Sequence, residues 1–174
     1  KFLRSLGVVR KKYHWIYDVK NNGLNFRLNE LQSALGTSQM QRLDEFITNR
    51  HTLQERYDLL LSNLPIVKPY QDQDSFSALH LYPIQVDLSC VDKSRHQIFD
   101  ELRQNGIGVN VHYMPIHLHP FYKNNFGTYE GMMPIAEKIY KQIITLPLFP
   151  LMNESDINDV IRAIDKCILN FKLN

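Results

Sequence analysis

The chain holds 174 residues, with 20 Lys and Arg against 18 Asp and Glu, 44% hydrophobic residues and 22% charged ones. That length suits one substantial core, or a domain with an appendage, and the near-balanced charge speaks against wholesale nucleic-acid binding, which shows a strong basic excess. No stretch reaches the roughly 20 apolar residues that span a bilayer as a helix, no leader pattern is visible, and the two cysteines, Cys90 and Cys167, fit no metal-ligand spacing and read as free thiols of the cytoplasm.

In chain order, Phe2, Leu3 and Leu6 suit the last turn of a helix closed by Gly7. Residues 13–22 mix Tyr13, Trp15 and Tyr17 with polar side chains and read as an irregular aromatic loop, with room for a short extended piece and no partner strand nearby. Gly23 to Leu28 is a polar lead-in, and Asn29 suits the N-cap of a helix. From there to about residue 63 apolar residues fall at three- and four-residue steps, with a junction expected between about 37 and 44. Leu28, Leu31 and Leu35 are expected to pack inward. Residues 65–78 read as a loop. His80 to Leu88 alternates like a strand, and Pro83 within it suggests an edge position or a bulge.

Asp92 or Ser94 can cap a helix that closes at Asn105-Gly106, and Ile107 to Val111 reads as a short strand. Together these suggest a β-α-β unit of an α/β or α+β sandwich. Residues 112–131 read as irregular. Pro134 can open a helix, Ile143 to Leu146 suits a strand stopped by Pro147, and Asn153 or Ser155 can cap a last amphipathic helix carrying Ile157, Val160, Ile161, Ile164 and Ile168.

Two clusters could carry chemistry. Asn25 and Arg27 place an amide and a forked, always-charged donor two residues apart, ahead of a helix start. Such a pair suits a phosphate; a surface ion pair and a turn amide are the plainer alternative. The second cluster is His112, Tyr113, His117 and His119. Pro115 and Pro120 rule out a regular helix across it, and no H-E-x-x-H or cysteine pair accompanies it, so zinc is not supported. A loop that contacts a ligand through imidazole and phenol groups, or a set of satisfied surface histidines, both fit. No G-x-S-x-G, P-loop or G-x-G-x-x-G is present.

The run Gly23-Leu24-Asn25-Phe26-Arg27-Leu28-Asn29-Glu30-Leu31-Gln32-Ser33-Ala34-Leu35-Gly36 resembles the DegT/StrS-type sugar-nucleotide aminotransferases, fold-type-I enzymes that use pyridoxal phosphate. Further segments match in order: Gln39 to Ile47 with Asn49-Arg50, His80 to Ile84, Gly106 to His117, and Leu146 to Pro150. Enzymes that make 4-amino-4,6-dideoxy sugars, the pseudaminic-acid pathway transaminase among them, are most similar. Leu24 stands where the family has an aromatic.

The resemblance implies an α/β fold with an α+β small domain. Residues 1–28 would be the tail of the large domain with an inter-subunit loop, and 29–174 the C-terminal small domain. It implies that Asn25 and Arg27 bind the cofactor phosphate of the other subunit of a homodimer. His112, Tyr113 and His117 would line the nucleotide-sugar pocket, the sugar being UDP-linked or carried on another nucleotide, and glutamate would be the amino donor. The Schiff-base lysine of the family has no counterpart here, so the chain is expected to be a C-terminal portion that cannot transaminate alone. A dehydratase of the same family, or a non-catalytic nucleotide-sugar-binding or dimerisation module, are the alternatives.

Overall fold

Asn29 and Ser94 start two helices by the same device. Each side chain accepts the backbone N–H of the residue three ahead, Gln32 or Gln97, and each of those glutamines accepts the cap residue's own N–H. Such a reciprocal box satisfies two of the free donors that every helix start leaves open.

The computed structural model describes residues 28–168 together with two short strands, β1 (Val8–Arg10) and β2 (Tyr17–Val19). The chain divides into two compact units, Lys1–Leu43 and Asp44–Asn174.

In the first unit β1 and β2 pair antiparallel, with Val8 opposite Val19 and Arg10 opposite Tyr17. The short extended piece expected within residues 13–22 is Tyr17–Val19, and it has a partner strand; the rest of that stretch lies outside the described residues. The helix end expected before Gly7 lies outside the described residues. Helix α1 (Glu30–Met40) follows the Asn29 cap. The leucine spacing located this helix but not its burial: Leu28, Leu31 and Leu35 all stay exposed, Leu31 at 83%.

Helix α2 (Leu43–Leu60), whose residues from Asp44 onward belong to the second unit, follows the junction expected between about residues 37 and 44. A three-stranded antiparallel sheet comes next, in the order β3 (Ile66–Val67), β4 (Tyr82–Val86), β5 (Ile143–Leu146). Strand β3, two residues long, falls in a stretch expected to be loop. Helices α3 (Arg95–Gln104), α4 (Pro120–Phe126), α5 (Pro134–Gln142) and α6 (Glu154–Ile168) complete the unit. The α/β class expected from the sequence holds as helices on a small antiparallel sheet.

Pro83 sits in the central strand, not at an edge. It faces Thr145 in the β4–β5 register. Both backbone groups of Thr145 point the other way, to Asn110, at 2.7 and 3.2 Å. Pro83 and Thr145 are thus a non-hydrogen-bonded pair. The proline nitrogen faces the β3 side, beyond Val67, whose partner is Gln85. No ladder bond is lost there, so proline is tolerated.

The expected strand over residues 107–111 shrinks to one bridge, Asn110 to Thr145. The neighbouring N–H groups are taken locally: Val109 donates to the Ile107 carbonyl at 2.9 Å and Val111 to the Asn110 side chain at 2.8 Å. Only Asn110 is left to pair.

Strand alternation sorts the sheet into two faces. Tyr82, Ile84, Val86, Ile144 and Leu146 lie on one side, in a core completed by Leu53 and Tyr57 of α2, Ile98 and Leu102 of α3, and the isoleucine face of α6. Each fully buried aliphatic side chain there contributes about 1.5–3 kcal/mol before entropy. Tyr57 and Tyr82 stack within the core, and their hydroxyls donate to the Pro147 carbonyl and to Asp58. Burial first, with nearby carboxylates second, pushes both phenols above their ordinary pKa. The other face carries Pro83, Gln85, Ile143 and Thr145. Gln85 shares a groove there with Ile135, Lys138 and Ile139 of α5.

Candidate functional site

Asn105 and Gly106 reverse the chain after α3, Gly106 taking φ +82°. Buried Ile107 and Val109 anchor the segment beyond the turn. Asn110 then pairs with Thr145, and the next residues leave the sheet as an arch.

His112 holds the near end of this arch. The Asn110 carbonyl oxygen Oδ1 already accepts from the Val111 N–H, so its Nδ2 is the group facing His112 Nε2, at 3.3 Å. An amide nitrogen only donates, so Nε2 must accept. The ring proton therefore sits on Nδ1, which donates to Thr145 Oγ1 at 2.9 Å. Thr145 is itself buried. Both ring nitrogens of His112 are committed to the protein.

Tyr113 follows through a cis peptide bond. Its ring stands edge-on to His112, centroids 4.6 Å apart, and is 74% exposed. Ile116 is also exposed. Pro115 then turns the chain into one 3-10 turn, Ile116–Leu118.

His117 holds the far end. It is buried, 8% exposed, and its Nε2 lies 2.8 Å from Glu137 Oε1 on α5. The same oxygen accepts the N–H groups of Gly131 at 2.8 Å and Met133 at 3.3 Å. The His117 hydrogen bond is the largest cause holding the Glu137 carboxyl below its ordinary pKa, with the two backbone donors adding to it against burial. Thr128 Oγ1 donates to the His117 carbonyl at 2.7 Å.

Of the residues expected to line a sugar pocket, Tyr113 is thus exposed, His112 is half-buried with both ring nitrogens bonded to the protein, and His117 is buried. His119 contributes its backbone at the start of α4, accepting from Tyr122 and Lys123. Asn25, Arg27 and Leu24 lie outside the described residues. The helix start that follows them is closed by its own side chains, Asn29 and Gln32. An amide and a guanidinium are a donor set that suits a phosphate dianion.

The sequence reading missed Asn110, Thr145, Thr128 and Glu137. Asn110 lies inside a family-like segment, which is a usable signal. Glu137 sits in the first turn of α5, where an acid ordinarily reads as a surface partner of the helix dipole; only the fold shows it buried.

Residues 1–165 match the family model of the DegT/DnrJ/EryC1/StrS aminotransferases. The chain is 36% identical over 152 residues to the spore coat polysaccharide biosynthesis protein SpsC of Bacillus subtilis, covering 86% of this chain and 39% of that protein. It is 32% identical over 178 residues to the UDP-4-amino-4,6-dideoxy-N-acetyl-beta-L-altrosamine transaminase of Helicobacter pylori, covering 99% of this chain and 45% of that one. The solved structure of Helicobacter pylori PseC, an aminotransferase involved in the biosynthesis of pseudoaminic acid, superposes with a TM-score of 0.79 at 30% identity, over 98% of this chain and 45% of PseC. The chain spans less than half the length of these relatives. It belongs to the DegT/DnrJ/EryC1/StrS aminotransferase family, whose enzymes depend on pyridoxal phosphate.

Proposed function

We propose that this chain works as part of a pyridoxal phosphate-dependent aminotransferase that moves an amino group from glutamate to a nucleotide-linked keto-deoxy sugar, in a cytoplasmic homodimer that serves surface polysaccharide or glycan biosynthesis. The observation that carries this reading is the family match over residues 1–165. The UDP-sugar named for the Helicobacter pylori relative supports a UDP-linked substrate.

Pyridoxal phosphate, when bound, supplies the electron sink through which an amino group changes carbons. Within this chain the residues that hold it are Asn25 and Arg27. Arg27 offers two parallel N–H donors and a fixed positive charge to phosphate oxygens, and Asn25 adds a neutral donor. Both act on a phosphate bound in the partner subunit. They orient and neutralise; they move no proton.

The arch over residues 112–117 serves the sugar side of the pocket. Tyr113 presents a phenol with both a ring face and a hydroxyl to the nucleotide sugar. His112 supports that ring edge-on, and His117 fixes the far end of the arch from beneath.

The test is made in the complete polypeptide that carries these residues. Asn25→Ala or Arg27→Ala should raise the Kd for pyridoxal phosphate by at least about tenfold, the size of one lost charge-assisted hydrogen bond. Cofactor absorbance retained after gel filtration measures it. Variants that keep full occupancy and full rate defeat the phosphate role.

A further inference from the structure

We propose that Glu137 is a positioning residue for the nucleotide-sugar loop, acting through His117; the proposal rests on the aminotransferase reading above. Residues 113–116 form an arch pinned at two ends. The near end is His112, bonded to Thr145 of β5 and to Asn110. The far end is His117, bonded to Glu137 of α5. Between the pins the chain makes no hydrogen bond from a side chain among the described residues, and Tyr113 and Ile116 stand exposed. What keeps Tyr113 in one place is therefore the pair of pins.

Glu137 secures more than His117. One oxygen, Oε1, gathers three donors from two separate segments: the His117 ring, and the N–H groups of Gly131 and Met133. Gly131 reaches it with φ +96°, a conformation natural to glycine. Thr128, in the same second segment, clasps the carbonyl of His117. Glu137 thus joins the arch, the 128–133 segment and α5 at a single point that is 6% exposed. Removing the carboxylate strands the buried His117 ring nitrogen and releases the N–H groups of Gly131 and Met133, two exposed residues, from their shared acceptor. A buried donor left unmet is costly, so His117 would move to reach water, and the 128–133 segment would lose its tie to it. The far end of the arch would then swing freely, and Tyr113 with it.

The test uses Glu137→Ala and Glu137→Gln in the complete enzyme loaded with pyridoxal phosphate. Each half-reaction is followed separately by cofactor absorbance, with glutamate as one amino donor and UDP-4-amino-4,6-dideoxy-N-acetyl-β-L-altrosamine as the other. Glu137→Ala should raise the KM for the amino sugar about tenfold or more, as a displaced positioning group does, and change kcat and the glutamate half-reaction by less than about twofold. Glu137→Gln should stay near wild type, because its amide oxygen accepts the same three bonds. An unchanged amino-sugar KM in Glu137→Ala, or equal loss in both half-reactions, overturns the proposal. If Glu137→Ala does not fold, His117→Ala carries the same test with the same outcomes.

Amide exchange separates this proposal from the one beneath it. A wild-type enzyme indifferent to UDP-sugars defeats the substrate reading, not the pin. Exchange at Gly131 and Met133, about tenfold or more faster in Glu137→Ala, then supports Glu137, and unchanged exchange overturns it.

Discussion

Cys90 and Cys167 carry the same group into opposite surroundings. Cys90 is exposed beside Asp87 and Ser89, whereas Cys167 lies in the core on α6. Burial, followed by a hydrogen bond to Glu101, pushes the Cys167 thiol up to about 11. The thiolate is the nucleophile, so iodoacetamide at neutral pH should label Cys90 and spare Cys167 until the protein is unfolded, as mass spectrometry of the labelled peptides will show. Equal labelling of both in the folded protein would contradict this packing. The histidines teach the same lesson. His112, Tyr113 and His117 were legible as one polar cluster, but not as one exposed ring between two inward supports. Neighbouring partners such as Thr145 and Glu137 come from residues 20 or more positions away, and sequence spacing carries no sign of them.

At the scale of elements, local chemistry was the readable part. The caps at Asn29, Ser94 and Asn153 and the Gly106 turn were visible because each needs only residues within one helical turn. Burial was not readable from periodicity alone: Leu31 and Leu35 set the phase of α1 yet remain exposed. Helix α4 escaped because Phe121 and Phe126 face outward, which erases the amphipathic rhythm, although Pro120 and Gly127 bracket it as start and stop. Strand β3 is too short to show alternation, and Pro83 was placed at an edge because the free N–H side of β4 depends on where β3 ends. The turn after α3 offers a clean test. A Cβ at Gly106 meets open space, so its substitution costs only backbone strain. Gly106→Ala should lower stability by about 1 kcal/mol, whereas Gly108→Ala, with equal space and no left-handed φ, should leave it unchanged or raise it, by at most about 1 kcal/mol. Urea midpoints distinguish the two, and equal effects would refute the turn geometry.

For the whole molecule, the family was readable because its marks are spread in order along the chain, from Asn25 and Arg27 to Leu146-Pro147. The described fold places Tyr113, exposed, on an arch between β5 and α5. The activity proposed for the complete enzyme, movement of nitrogen from glutamate to a nucleotide sugar, has a direct readout. The enzyme is incubated with pyridoxal phosphate, 15N-glutamate and a UDP-linked keto-deoxy sugar, and the sugar is then analysed by mass spectrometry. The expected product carries one 15N on the sugar carbon that bore the ketone. A sugar that has lost a hydroxyl and gained no 15N, or one left unchanged, would refute the aminotransferase reading.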